Sequence, residues 1–411
     1  MKSWRFHTPD GVADILPEDC ARKRDLETGI RQLFRSRGYR EIQTPGIEFY
    51  DVYAASDGFV PQEDLFKFFD EQGRILCLRY DGTVPAARCA ATNLRDDPLP
   101  LRLCYIGEMY RYNESGGGKQ REFTQAGAEI LGVDAPEADA EILGTAIAAT
   151  LESGIRDLQV SIGQVGFFQG LCREWGLDAE TEALLPTLID SKQLVAIEDI
   201  CRLRGLPDNA RQALLKMPSL QGTYEVLDQL EPLAGNPGSL AALANMRAIL
   251  SLLEDDGLLD YISVDMGMLQ NLHYYSGAIF KGFTYGIGFP LFGGGRYDRV
   301  TPAFGGILAA TGFSMGVNMV MTAQRRRGDQ PQTREADLLA GYARGSRAAA
   351  GRAIADLRGQ GLRVELDCCG ADQAGLMRLA EQRRIPSILY IDENGAAETF
   401  PVPSGSGGTG G

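Results

Sequence analysis

The sequence predicts an α+β chain in three pieces, and three observations carry that expectation. Residues 66–79 and 101–131 read as β-hairpins, 165–260 is leucine-rich and helical with very little strand signal, and 337–391 alternates strand and helix. A body of hairpins and helices, interrupted by a helical insertion and followed by a small α/β domain, accommodates all three. At 411 residues and 44% hydrophobic, the chain can bury a large core with attachments.

In chain order, Thr8-Pro-Asp-Gly-Val-Ala-Asp-Ile-Leu-Pro17 is a turn-rich leader. From about Glu18 to Arg37, Leu26, Ile30, Leu33 and Phe34 recur at helical spacing, and Gly38 is a natural terminator. Tyr39 to Pro45 is a short strand-like run whose proline implies an edge. After the first hairpin, Val84 to Asn93 reads as a helix. In the second, Leu101 to Asn113 and Arg121 to Leu131 flank a polar, glycine-rich loop. Phe123, Gln125, Gly127 and Glu129 share one face of the return strand, because strand side chains alternate. Glu137 to Ser153 is a helix with acidic residues at its positive end, and Leu158 to Ile162 a strand. These elements define a core in two parts, 1–164 and 261–325, with the helical insertion 165–260 between them. A polar linker, 326–335, leads to an α/β domain at 336–403 and a Gly/Ser tail at 404–411.

Composition bounds the function. The formal charge of −14, from 55 acidic and 41 basic residues, argues against a broad nucleic-acid surface. The chain lacks a signal-peptide pattern and any run near the roughly 18 apolar residues of a membrane helix, so a cytoplasmic protein without membrane contact is expected. Eight cysteines without a C-x-x-C pair indicate neither a disulfide framework nor a metal site, and read as small packing residues. No cofactor is expected.

The segment from Val264 to Val317 is dense in glycine and aromatics, including Tyr274-Tyr-Ser-Gly277, Gly293-Gly-Gly-Arg-Tyr-Asp298 and Thr311-Gly-Phe-Ser-Met-Gly-Val317. Glycine weakens a strand unless a close-approaching backbone or ligand needs the space, which suggests a pocket floor. Taken singly the features have structural readings too. Gln125 with Glu129 could be a solvated face, the three glycines a turn, Arg111 a surface charge, and Tyr274 with Tyr275 half-buried sheet aromatics.

Their joint order resembles the class II aminoacyl-tRNA synthetases, specifically histidyl-tRNA synthetase. Four segments carry the resemblance over roughly residues 5–325: the leader, Arg79-Tyr-Asp-Gly-Thr83, the second hairpin with Tyr110-Arg-Tyr-Asn-Glu114 and Arg121 to Glu129, and the glycine-aromatic segment. The resemblance implies an antiparallel sheet of six or seven strands flanked by helices, with Tyr39 to Pro45 in a dimer-forming motif. It also implies that 336–403 is a shortened anticodon-binding domain. In the family's histidine pocket, Asp81 and Thr83 would face the ligand's α-ammonium with Gln125 beside them, Glu129 and Tyr275 would bracket the imidazole, and Arg111 and Tyr274 would complete the site. Position 81 is a glutamate in the synthetases; aspartate keeps the charge on a shorter side chain.

Of the three arginines that family uses around the α-phosphate of ATP, Arg111 is present, but the other positions fall at Gln270 and at Asn318-Met319. If each were worth the ~2.7–4 kcal/mol of one preorganised donor, losing both would slow activation roughly 10⁴-fold. A synthetase-like chain without that chemistry resembles the ATP phosphoribosyltransferase regulatory subunits. That resemblance implies no catalytic residues and a homodimer within a hetero-oligomer with the short-form catalytic subunit. It further implies activation of that enzyme in the first step of L-histidine biosynthesis, and feedback inhibition by L-histidine as ligand. The alternatives are an active histidyl-tRNA synthetase, resting on Arg111 and Arg296, or a paralogue that senses or acts on another amino acid.

Overall fold

The computed structural model describes residues 4–54, 60–112, 120–269, 274–306, 308–328 and 336–403. Gln270, His273, most of the polar hairpin loop, the linker from 329 to 335 and the tail from 404 lie outside them. The chain divides into two compact units, residues 1–329 and 330–411.

In the first unit, α1 (Pro17–Ser36) opens with proline and two acidic residues in its first turn, which suits the unsatisfied donors and positive end of a helix. It stops at Gly38, whose φ of 78° places it in the left-handed region. The edge strand β1 (Arg40–Glu41) follows. β2 (Ile47–Phe49), α2 (Asp51–Ala54), β3 (Lys67–Phe69) and β4 (Ile75–Leu78) come next, β2, β4 and β3 forming a small separate sheet. α3 (Thr83–Thr92) leads into the long hairpin of β5 (Leu101–Tyr110) and β6 (Glu122–Leu131). α4 (Pro136–Glu152) and β7 (Leu158–Gln164) precede four helices, α5 (Val165–Glu174), α6 (Ala179–Asp190), α7 (Leu194–Leu203) and α8 (Asp208–Lys216). After β8 (Gln221–Gly222), α9 (Pro237–Asp255) and β9 (Ile262–Asp265), the chain returns through β10 (Ala278–Thr284), β11 (Phe292–Arg296) and β12 (Ala310–Gly316) into α10 (Val317–Arg327).

These strands build a nine-stranded sheet in the order β1-β5-β6-β12-β11-β10-β7-β9-β8. The six strands from β5 to β7 are antiparallel, as expected, but β1 joins β5 and β9 joins β7 in parallel, so the sheet is mixed and wider than expected. The additions are two to four residues long, too short to show alternation in sequence, and their pairing is fixed by what they pack against. The segment 165–260 likewise contributes β8, paired with β9, and is not wholly helical. One face of the sheet carries Ala126, Ala128, Phe313 and Met315 into the main core with Ile142, Ala146 and Ile147 of α4 and Ile30 and Phe34 of α1. The other receives α3 over Leu101, Leu103 and Leu131. Beside the start of α3, that face is left open.

In the second unit, β13 (Leu338–Tyr342), β14 (Val364–Leu366) and β15 (Ser387–Ile391) are parallel, and β16 (Ala397–Pro401) adds an antiparallel edge in the order β14-β13-β15-β16. Alternation along β13 sends Leu338 and Ala340 toward α11 (Arg347–Gly359) and Leu339 toward α12 (Gln373–Gln382). Cys77, Cys104, Cys172 and Cys201 are buried packing residues; Cys368 and Cys369 are exposed, which corrects the packing expectation for that pair. Among the described residues, no helix is long and apolar enough to cross a membrane.

Candidate functional site

The open face of the sheet holds a cavity of about 270 Å³ lined by Asp81, Thr83, Arg111, Gln125, Tyr274 and Tyr275, together with Tyr80, Tyr297 and Ser314. The strand register explains its floor. Gly127 pairs with Ser314, Glu129 with Gly312, and Gly312 with Gly295, so residues without side chains meet on the inner face of β6, β12 and β11. Larger neighbours lie across them: the Tyr105 ring covers the place of a Gly127 side chain, the Glu129 carboxyl that of Gly312, and Tyr275 borders Gly295. The glycine density in the sequence thus has a steric cause.

Asp81 stands in the turn before α3, where its Oδ1 accepts the Val84 N–H at 3.1 Å. Burial pushes its carboxyl up to about 6, against the opposing pull of Arg111 and of that N–H. Gln125 accepts the Gly82 N–H on its amide oxygen at 3.0 Å. Since a backbone N–H can only donate, the amide NH₂ is the end left for the cavity. A donor there suits a carboxylate better than an ammonium. Arg111 lies between two rings, its guanidinium carbon 4.2 Å from the Tyr80 centroid and 5.0 Å from that of Phe123, and its Nε donates to the Tyr80 carbonyl at 3.3 Å. It is the only cation among the described residues lining the cavity.

Glu129 is fully buried and sits behind this wall. Its two oxygens are bonded by the hydroxyls of Tyr105 at 3.1 Å and Tyr297 at 2.7 Å, and Tyr105 is bonded in turn to Thr83 at 3.1 Å. Burial pushes the Glu129 carboxyl up to about 8, moderated by hydrogen bonds from Tyr297, Thr83 and Tyr105 and reinforced by Asp81. Tyr274 stacks on Tyr297, centroids 5.7 Å apart, and meets Tyr275 edge to face at 4.8 Å; burial raises the hydroxyls of both. Tyr297 and Tyr105 were not anticipated as site residues. Tyr297 was legible, since it follows Gly293 and Gly295 by steps of two and so shares their face, whereas Tyr105 required the register of β5 with β6.

The remaining candidates are engaged elsewhere. The Arg296 guanidinium bonds Asp139 Oδ2 through Nε at 3.1 Å and through Nη2 at 2.9 Å, and donates to the carbonyls of Val133 and Ala135. It clamps the start of α4 to β11 and does not line the cavity. Asn318 accepts the Thr124 N–H at 2.8 Å, tying α10 to β6. Met319 packs against the main core. Gln270 is outside the described residues.

The family described as Histidyl-tRNA synthetase matches residues 11–320. The ATP phosphoribosyltransferase regulatory subunit of Acetivibrio thermocellus is 48% identical over 96% of this chain and 95% of its own length. That of Ruminiclostridium cellulolyticum is 42% identical over 98% and 96%. A crystal structure from Bacillus halodurans, described as an ATP phosphoribosyltransferase regulatory subunit/histidyl-tRNA synthetase, is similar at a TM-score of 0.83 and 28% identity, over 95% of this chain and 98% of that one. The histidyl-tRNA synthetase of Nostoc shares the fold at a TM-score of 0.80 and 18% identity, over 96% and 97%. With a synthetase-type sheet, a glycine-floored cavity and these relatives, the chain belongs to the ATP phosphoribosyltransferase regulatory subunit family, built on the class II histidyl-tRNA synthetase fold.

Proposed function

We propose that this chain is a non-catalytic regulatory subunit that activates a short-form ATP phosphoribosyltransferase catalytic subunit in the cytoplasm and lets L-histidine inhibit it, the histidine being read by the cavity. The observation that carries this reading is the charge content of the site. Asp81 answers an α-ammonium, and Arg111 with the Gln125 amide answers a carboxylate. Glu129, reached through Tyr297, and Tyr275 offer partners for a ring with two nitrogens.

Adenylate formation needs additional cations, and Arg111 is the only one among the described residues lining the cavity. Arg296 is held by Asp139, and Met319 is an apolar packing residue. The amino-acid half of a synthetase site is therefore kept without its phosphate half. Histidine regulates only if it binds one quaternary arrangement more tightly than another, and by linkage the catalytic ligands then shift histidine affinity in return. The assembly is a homodimer of this chain within a hetero-oligomer, and the unit 330–411, which resembles an anticodon-binding domain, serves packing or docking.

The test is calorimetry with histidine, followed by mixing with the short catalytic subunit and assaying phosphoribosyl transfer. Histidine binding, activation on mixing and loss of activity on adding histidine support the reading; failure of histidine either to bind or to change that activity defeats it. Histidine-dependent ATP–pyrophosphate exchange would instead support an active synthetase.

A further inference from the structure

Cys368 and Cys369 are consecutive, and both are exposed just past the C-terminal end of β14 in the second unit. The other cysteines are buried or half-buried. Adjacent thiols cannot drift apart, so a reagent that oxidises one meets the other at once. The pair shares no residue with the cavity, and the regulatory reading does not employ it.

One carboxylate holds the loop that carries the pair. The buried Asp367 accepts the Cys369 N–H on Oδ1 at 3.1 Å and the Ala371 N–H on Oδ2 at 2.7 Å. Its own N–H donates to the Ala340 carbonyl at 2.7 Å, extending the pairing of β14 with β13. Between the two clamped amides, Gly370 has a φ of 71° and open space where a side chain would stand. The two thiols differ. Cys368 Sγ donates to the Leu366 carbonyl at 3.4 Å, whereas the Cys369 thiol has no hydrogen bond among the described residues.

Covalent geometry sets what the pair can become. Neighbouring Cα atoms are about 3.8 Å apart across a trans peptide, less than the roughly 4.4–6.8 Å that a relaxed disulfide spans. A bond between the two sulfurs therefore closes a compressed ring, and strained, exposed disulfides are the readily reduced ones. Closing it turns the peptide between the two residues and draws the Cys369 N–H from Asp367. The unobstructed Gly370 is where the loop takes up that turn.

We propose that Cys368 and Cys369 form a reversible modification site for low-molecular-weight disulfides of the glutathione type. The Cys369 thiolate attacks one sulfur of the small disulfide, forming a mixed disulfide and expelling a thiolate, which takes up the proton Cys369 lost. The Cys368 thiolate then attacks the Cys369 sulfur, closing the bond between the two residues and expelling the second small thiol with the Cys368 proton. Two protein thiols are oxidised by two electrons, and one small disulfide is reduced to two thiols. Excess small thiol runs both steps backwards, helped by the strain of the ring.

The experiment incubates the full chain with oxidised glutathione, alkylates the remaining thiols and digests with trypsin. Cleavage after Arg363 and Arg378 isolates the pair from the other six cysteines in one peptide. That peptide is expected to be lighter by two hydrogens, to carry neither glutathione nor alkyl groups, and to recover both thiols in excess reduced glutathione. Cys368→Ser is expected to stop at a glutathione adduct on Cys369. Cys369→Ser is expected to form its adduct on Cys368 roughly threefold more slowly, the worth of one weak hydrogen bond. A peptide that keeps two alkylated thiols overturns the site, and a glutathione adduct that persists on the unmutated pair overturns ring closure. A closed ring that resists excess reduced glutathione overturns its strain, and an adduct that forms as fast on Cys368 overturns the order of attack. Each of these outcomes leaves the histidine reading untouched.

Discussion

Substituting Gly312 by alanine tests the steric basis of the site. A Cβ at Gly312 would stand 2.6 Å from Glu129 Cδ, against the ~3.5 Å of ordinary carbon contact, so the carboxyl must retreat by about 1 Å. The backbone cannot yield instead, because β12 is held between β6 and β11 and the Ala128 carbonyl is already 2.9 Å from that Cβ. Bonds of 2.7 and 3.1 Å to Tyr297 and Tyr105 do not survive such a shift. Two buried bonds to a carboxyl, with the unsatisfied group they leave behind, come to roughly 2–4 kcal/mol. Gly293→Ala is the internal comparison: on the same floor, its Cβ meets the Phe280 carbonyl at 3.6 Å and Lys281 Cγ at 3.8 Å, ordinary contacts. Its effect on stability is expected to stay within about 1 kcal/mol either way. Urea unfolding of both variants reads the difference, and calorimetry on Gly312→Ala is expected to find histidine affinity lost with the carboxyl's displacement. Equal stability of the two variants would refute the placement of Glu129 across Gly312.

Asp139→Ala removes the buried carboxylate nearest Arg296 and leaves it Asp298 at 3.4 Å and the exposed Asp134 at 3.6 Å, and a loss of about 3 kcal/mol in urea unfolding is expected. Arg111→Ala, at the edge of the cavity, is expected to change stability little but to weaken histidine binding by roughly tenfold to a hundredfold in calorimetry, the worth of a charged hydrogen bond. The Glu129 carboxyl has a folded-state value raised to about 8 from an unfolded 4.5, so the folded state holds the proton more tightly. That contribution to stability is fully present below the unfolded value and is lost as pH rises toward 8. Unfolding measured from pH 5 to 8 should therefore show Glu129→Gln gaining on the unmutated chain as pH rises. A gap that is constant with pH would contradict the raised value. Asp81, raised from 3.8 to about 6, acts with the same sign in its own window.

Much of the core was legible in sequence because long elements repeat their signal. The periodic apolar face of α1, the alternation of β6 and the two-residue steps through Gly293, Gly295 and Tyr297 each need only local spacing to read. The short strands β8 and β9 carried no such signal, and β1, inside the strand-like run Tyr39 to Pro45, gave none of its parallel partner. Their pairing depends on partners far along the chain, and a strand of two residues has no period.

By itself the sequence determined which residue types are available at the site: Asp81, Arg111, Gln125 and Tyr275. Only the tertiary structure decided what those groups can do. It committed Arg296 to Asp139, set the Gln125 amide oxygen on the Gly82 N–H, and placed Glu129 behind Tyr297, bonded by two tyrosine hydroxyls. The physical reason is that hydrogen-bond direction and burial are properties of a side chain's neighbours. Those neighbours come from β5, β6, β11 and α3, which only the folded sheet brings together.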